Sequence, residues 1–127
     1  MIDERIAVPL DFFDLVITKH LFITDPFDSL IRGHDSSLAM MRAVLSRGHS
    51  VWQCEIGEIV WKVRGLEFSA RRIEESGGLL LTHPGKKLSD SELSLIWMRK
   101  DPPVDLAYVC ACQLLRLAKA PVINNPN

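Results

Sequence analysis

An apolar run from Leu93 to Met98 leads directly into Arg99-Lys100-Asp101, then Pro102-Pro103, then an amphipathic segment opening near Asp105. Two fixed cations and a carboxylate therefore stand where a strand gives way to a loop. Arg99 is suited to grip a carboxylate or phosphate at two points, and Lys100 offers a compact point charge. A second loop, Asp25 to Ser37, runs into a helix whose first-turn N–H groups suit an anion. Asn124 and Asn125, after the last apolar run, can hydrogen-bond a neutral polar group. In open α/β sheets such loops meet at the carboxyl ends of the strands, which is where ligands bind. The candidate substrate-binding residues are thus Asp25, Asp35, Ser37, Arg99, Lys100, Asp101 and Asn124. None is assigned a catalytic or metal-binding role.

Each candidate has a plain structural reading beside the functional one. Asp35 can cap a helix, Asp101 can close the turn before two prolines, and Lys100 can lie in solvent. Arg99, directly after a buried strand, needs a partner, either a ligand or an internal carboxylate. Several devices are missing from the sequence. No Gly-x-Gly-x-x-Gly follows the first strand, and there is no phosphate loop of the Gly-x-x-x-x-Gly-Lys-Ser/Thr type and no Gly-x-Ser-x-Gly elbow. His20, His34, His49 and His83 are scattered without metal-ligand spacing. Cys54, Cys110 and Cys112 are three, an odd number, and on a helix the last two point about 200° apart, so reduced structural thiols are expected.

The elements that must position these residues alternate in type. Leu21-Phe22-Ile23-Thr24 reads as a short strand stopped by Asp25-Pro26, followed by a polar loop from Phe27 to His34. A helix starts near Asp35, with Asp35, Ser36 or Ser37 able to cap it. Leu38, Met41, Val44 and Leu45 form its apolar stripe, Arg42 and Arg47 face solvent, and Gly48 stops it. Val51 to Cys54 is the next strand, completing a βαβ unit. Residues 59–70 read as a hairpin turning at Arg64-Gly65, and an exposed loop is expected near Lys86-Lys87. A turn at Ser89 to Glu92 feeds the strand Leu93 to Met98. The last helix begins after Pro102-Pro103, with proline at a first helical position. Its predicted buried stripe is Leu106, Val109, Cys110, Gln113, Leu114 and Leu117, with Arg116 and Lys119 near its negative end. Pro121 to Asn124 is a final short strand. Residues 1–19, with the patch Phe12-Phe13-Asp14-Leu15-Val16-Ile17, read equally as a short helix or an added strand.

The fold class that follows is α/β, a three-layer Rossmann-like, mainly parallel sheet with helices on both faces and a small β-hairpin insertion. The chain divides into an extension, 1–20, and one domain, 21–127. At 127 residues it can bury roughly two-thirds of its unfolded surface. With 15 basic and 16 acidic residues it has no electrostatic reason to seek nucleic acid or an anionic membrane. No apolar run approaches the ~20 residues that span a bilayer. Met1 to Arg5 carries acid where a secretory signal carries net positive charge, so a cytoplasmic location is expected.

The segment Trp97-Met98-Arg99-Lys100-Asp101-Pro102-Pro103-x-Asp105-x-x-Tyr108 closely resembles one that marks prokaryotic glutathione synthetase, an ATP-grasp ligase. Asp25-Pro26, Asp35-Ser36-Ser37-x-x-Met40-Met41, Arg47-Gly48-His49-x-Val51 and Ile123-Asn124-x-Pro126 recur in that family in the same order. The resemblance runs from about Leu21 to Pro126 and implies the N-terminal, pre-ATP-grasp domain. It implies an enzyme that joins γ-glutamylcysteine to glycine through an acyl phosphate, with ATP and Mg2+ held by a later ATP-grasp domain. It places Arg99, Asp101, Asp35 and Ser37 at family motif positions facing the peptide side of the cleft. On this reading the chain holds no cofactor of its own and ends where the family continues. The first functional expectation is a substrate-cleft domain, catalytically silent alone. The second is an interaction module that pairs with a separate ATP-grasp chain or with a second copy of itself. A flavodoxin-like nucleotide binder is a third, with no phosphate loop to support it.

Overall fold

The computed structural model of the chain describes residues 18–33 and 35–124, the side chain of Asn124 excepted. The expected N-terminal helix or strand, His34, Asn125 and Pro126 lie outside the described residues. In chain order the elements are β1 (Lys19–Ile23), α1 (Phe27–Gly33), α2 (Ser36–Ser46), β2 (Ser50–Cys54), β3 (Ile59–Lys62), β4 (Gly65–Ser76), β5 (Leu79–Thr82), β6 (Lys86–Ser89), β7 (Leu95–Met98), α3 (Leu106–Leu115) and β8 (Val122–Asn124). Single 3-10 turns at Ile56–Glu58 and Asp90–Glu92 precede β3 and β7. Among the described residues no helix is long and apolar enough to cross a membrane.

The strands form one sheet in the order β3-β4-β2-β1-β7-β8, with β5 and β6 also paired to β4. The four strands β2, β1, β7 and β8 are mutually parallel, as an α/β Rossmann-like domain requires. Alternation along β1 explains the three layers. Leu21 and Ile23 point to one face, where they join Ile96, Met98 and the α3 residues Ala111 and Leu115. Phe22 points to the other, against Leu30 of α1 and Leu38 and Met41 of α2. The predicted stripe of α2 is therefore the observed one, and Gly48 ends it at φ +85°, a conformation that favours glycine.

Several other expectations are corrected by contacts between distant residues. Residues 27–33 form a helix instead of a loop. Pro26 O accepts from both Ser29 N (2.9 Å) and Leu30 N (3.3 Å), and the turn carries Leu30 into the core at 2% exposure. Lys86-Lys87 is not a loop but the start of β6, because Leu88 is buried and the strand pairs with residues 67–70 of β4. The hairpin at 59–70 is real, but its second strand continues for 12 residues to Ser76. Its buried positions change parity, from Leu66, Phe68 and Ala70 on one core to Ile73 on the other. The strand thus turns through the sheet, pairing with β3 and β6 first and with β2 and β5 afterwards. Strand β7 begins at Leu95, since Leu93 caps the preceding 3-10 turn. Asp105, not a proline, starts α3; its side chain accepts from Tyr108 N at 2.9 Å. Arg42 does not simply face solvent: it donates to Glu75 (3.3 Å) and to Gly78 O (3.1 Å).

Helix α3 is also rotated relative to expectation. Its buried side is Ala111 and Leu115, with Tyr108, Cys112 and Leu114 partly covered. Leu106, Val109, Cys110, Gln113 and Leu117 are exposed. A segment apolar on nearly every side has no single stripe, so periodicity alone selects no face. Ala111 and Leu115 are the helix residues buried against the sheet core. Cys54 is buried, and burial together with the nearby Glu58 carboxylate pushes its thiol far above the ordinary range, as suits an inert core cysteine.

A directed chain of hydrogen bonds closes the amino-terminal edge of the sheet. Trp97 Nε1 can only donate, so His20 Nδ1 (3.2 Å) must accept and His20 carries its proton on Nε2. That proton goes to Thr18 Oγ1 (3.1 Å), whose hydroxyl in turn donates to His49 Nδ1. Burial, and then neighbouring His49, hold the His20 pKa below its usual value. A histidine with a lowered folded pKa binds fewer protons than in the unfolded chain. Its stabilising contribution is therefore complete above the unfolded value of about 6.5 and declines as pH falls toward the folded pKa. Melting temperatures should fall as pH drops below about 6.5, and His20→Gln should flatten that part of the profile. An unchanged profile in the variant would show that His20 is not the titrating group.

Candidate functional site

The carboxyl ends of β1 and β7 lie side by side, with Ile23 paired to Met98 and Arg99 N donating to Ile23 O at 2.8 Å. The loops that follow therefore start from one point. Asp25, just past β1, accepts from Lys100 Nζ (2.8 Å) and from Asp101 N (3.2 Å). Lys100 also donates to Asp101 O at 3.0 Å. Both side chains of the Asp25–Lys100 pair are largely sheltered, 26% and 16% exposed, so this contact is more than a surface ion pair. It pins the 99–103 loop to the end of β1. The Pro102-Pro103 bond in that loop is cis.

Arg99 reaches across to the first turn of α2. Its Nε donates to Ser37 Oγ (3.1 Å) and its Nη2 to Ser36 Oγ (2.7 Å). Of three possible caps the structure uses Asp35, whose Oδ1 accepts from Ser37 N at 2.7 Å. That choice frees both serine hydroxyls for the guanidinium. Among the described residues no internal carboxylate pairs with Arg99; two neutral hydroxyls hold it. Among the described residues, only two of its five N–H donors are engaged.

Asp101 completes the group. Its carboxyl pKa is raised, first by burial and then by the like charges of Asp35 and Asp25, with Arg99 opposing. Asp35, which caps α2, is thus close enough to Asp101 for the two carboxyl groups to interact. The structure thus brings together six of the seven candidate residues: Asp25, Asp35, Ser37, Arg99, Lys100 and Asp101. Asn124 is at the end of β8 opposite Met98, on the same sheet edge.

Sequence reasoning missed Ser36 as a contact of Arg99, and it missed a polar network beneath Asp25. Gln53 is 1% exposed; its Nε2 donates to Thr24 Oγ1 (3.0 Å) and Asp25 O (3.4 Å). Its Oε1 accepts from Arg71 Nη1 (3.3 Å), and Arg71 is itself paired with Glu58. The available signal was a glutamine inside the apolar strand Val51-Trp52-Gln53-Cys54, since a buried amide must find partners. This network holds the backbone of Asp25 from below while Lys100 holds its carboxylate from above.

The arrangement offers adjacent sites of opposite sign. Arg99 and the α2 N-terminus favour a carboxylate, and the Asp35–Asp101 pair favours an ammonium group. Among the described residues no set of three or more His, Cys, Asp or Glu side chains is placed to hold a metal ion.

The family model of the prokaryotic glutathione synthetase N-terminal domain matches residues 18–127. The chain is similar to glutathione synthetase of Gloeobacter violaceus, 41% identical over 112 residues, covering 80% of this chain and 32% of that protein. It is similar to those of Prochlorococcus marinus (34% identical; 85% of this chain, 36% of that protein) and Nitrosomonas europaea (33% identical; 85% and 37%). The chain spans about a third of the length of the curated relatives it matches.

Proposed function

Since the chain belongs to the prokaryotic glutathione synthetase family, as its N-terminal domain, we propose that its strand-end cluster forms the peptide-holding half of a ligase cleft. The ligand is the γ-glutamyl end of γ-glutamylcysteine. The observation that carries this is the Arg99 guanidinium stretched over Ser36 and Ser37 beside the Asp35–Asp101 carboxyl pair. A γ-glutamyl group carries an α-carboxylate and an α-ammonium on one carbon, and the cluster offers a neighbouring partner for each. Arg99 takes the carboxylate on its unengaged N–H donors. Asp35 and Asp101 take the ammonium, which relieves the repulsion between them. Asp25 and Lys100 position the loop and make no substrate contact.

In the full reaction ATP activates the cysteinyl carboxylate and the glycine amine displaces phosphate. ATP and Mg2+ are assigned to the remainder of such a ligase, and this domain binds and orients the peptide. The purified chain, given γ-glutamylcysteine, glycine, Mg2+ and ATP, is expected to release no ADP. Turnover by the chain alone would refute that division of labour.

Titration calorimetry with γ-glutamylcysteine tests the site directly, and its pH dependence has a definite sign. The raised pKa of Asp101 leaves part of the free protein protonated just above the ordinary carboxylate range. An incoming ammonium favours the ionised form, so binding should release protons there and weaken as pH falls through that region. Absence of saturable binding, or binding that strengthens on acidification, would refute the assignment.

A further inference from the structure

A cavity of about 330 Å³ lies between α2 and the amino-terminal part of the sheet, away from the strand ends that carry the Arg99 cluster. One wall is the side of α2 that bears Met40, Ala43, Val44 and Arg47, positions that run in steps of three and four to the helix C-cap. The other wall is made of rings. His20 stands beside Trp97 and His49, with centroids 6.3 Å and 5.3 Å away. Most polar groups on these walls are already committed. Ala43 O, Val44 O and Leu45 O accept from Ser46 Oγ, Arg47 N and Gly48 N. Both ring nitrogens of His20 are engaged, and His49 Nδ1 accepts from the Thr18 hydroxyl. His49 therefore carries its proton on Nε2. That N–H and the Arg47 guanidinium donate to no group among the described residues. The two polar groups left over are both donors, and one of them is a cation.

We propose that this cavity binds a small aromatic monocarboxylate, of the size of phenylacetate. The carboxylate is held by Arg47, which can present two N–H donors to it, and by His49 Nε2–H. A neutral head group would gain less from the guanidinium, a cationic one would be repelled by it, and a second negative charge would find no further donor. Met40, Val44 and the ring wall take the apolar body, and an aromatic body gains ring–ring contacts that an aliphatic one of equal size lacks. The volume is at the lower end of the range for small-molecule sites. With so few ligand atoms, a dissociation constant on the order of a millimolar is expected. None of these residues belongs to the strand-end cluster, and the inference does not rest on the peptide-cleft reading.

Titration of the full chain with phenylacetate, followed by heteronuclear NMR, should give saturable shifts at the Trp97 indole N–H and at Arg47 and His49. Phenylacetamide has the same shape without the charge and should bind roughly tenfold more weakly. Arg47→Gln should cost phenylacetate a similar factor. Its melting temperature should match wild type, since the Arg47 side chain is exposed and holds no partner among the described residues. Ala43→Phe fills the cavity from the exposed side of α2 and should abolish binding while the fold persists. γ-Glutamylcysteine should not displace the ligand. Absence of saturable shifts at these three residues overturns the proposal, as does equal affinity for acid and amide or wild-type affinity in Arg47→Gln. Shifts confined to the Arg99–Asp101 loop, or displacement by γ-glutamylcysteine, overturn it by placing the acid in the strand-end cluster.

Discussion

Replacing Arg99 with alanine should weaken γ-glutamylcysteine binding roughly ten- to a hundredfold, the equivalent of about 1.5–3 kcal/mol for a lost charge-assisted hydrogen bond. The fold should tolerate the change. Arg99 loses two bonds to serine hydroxyls; Ser36 is exposed and can turn to water, and only buried Ser37 is left with an unmet hydroxyl, at a cost of about 1 kcal/mol. Affinity and stability therefore separate, which a purely structural arginine would not allow. Arg99→Lys should recover little affinity, since an ammonium cannot span two serines and still present a planar fork to a carboxylate. Calorimetry and urea unfolding of both variants supply the measurements. Wild-type affinity in Arg99→Ala would remove the residue from the site.

The largest loss of stability is expected at Phe22. It lies in the central strand with 0% exposure and stacks on Trp97, ring centroids 5.4 Å apart and 6° from parallel. It fills the space between β1 and the two helices α1 and α2, against Leu30, Leu38 and Met41. Phe22→Ala should cost about 3–5 kcal/mol, comparable with the whole stability of many domains this size. The corresponding fall in melting temperature is on the order of 10–20 °C. Thr24 and Asp25 follow directly on this strand, so the variant should loosen the site from below. A loss under about 1 kcal/mol in urea unfolding would mean that the core of this face is built on other residues.

Much of the site was legible because its parts are local. The Asp35 cap, the stripe Leu38, Met41, Val44 and Leu45, the Gly48 stop and the short apolar strands each follow from residues within a turn or two of one another. Strands alternating with helices then force the loops after β1 and β7 to one edge, which placed Asp25, Arg99, Lys100 and Asp101 together. The resemblance to glutathione synthetase stood on the same segments. What was missed lies where local signals are weak or contradictory. Helix α1 has one buried residue, Leu30, and no repeat to announce it. Strand β6 opens with two lysines and has Leu88 alone to bury.

By itself, then, the sequence determined the α/β alternation, the helix caps, the family likeness and the edge of the sheet at which charge collects. Only the tertiary structure decided which side of α3 is buried, where β4 turns from one core to the other, and what holds Arg99. Helix α3 shows the reason most plainly: it is apolar nearly all round, so its orientation is decided by which side packs against the sheet, here that of Ala111 and Leu115. The partners of Arg99 are likewise 62 and 63 residues away in the chain. Asp35 had to take the cap before the two serines were free to meet the guanidinium, a choice made only when both elements are in place.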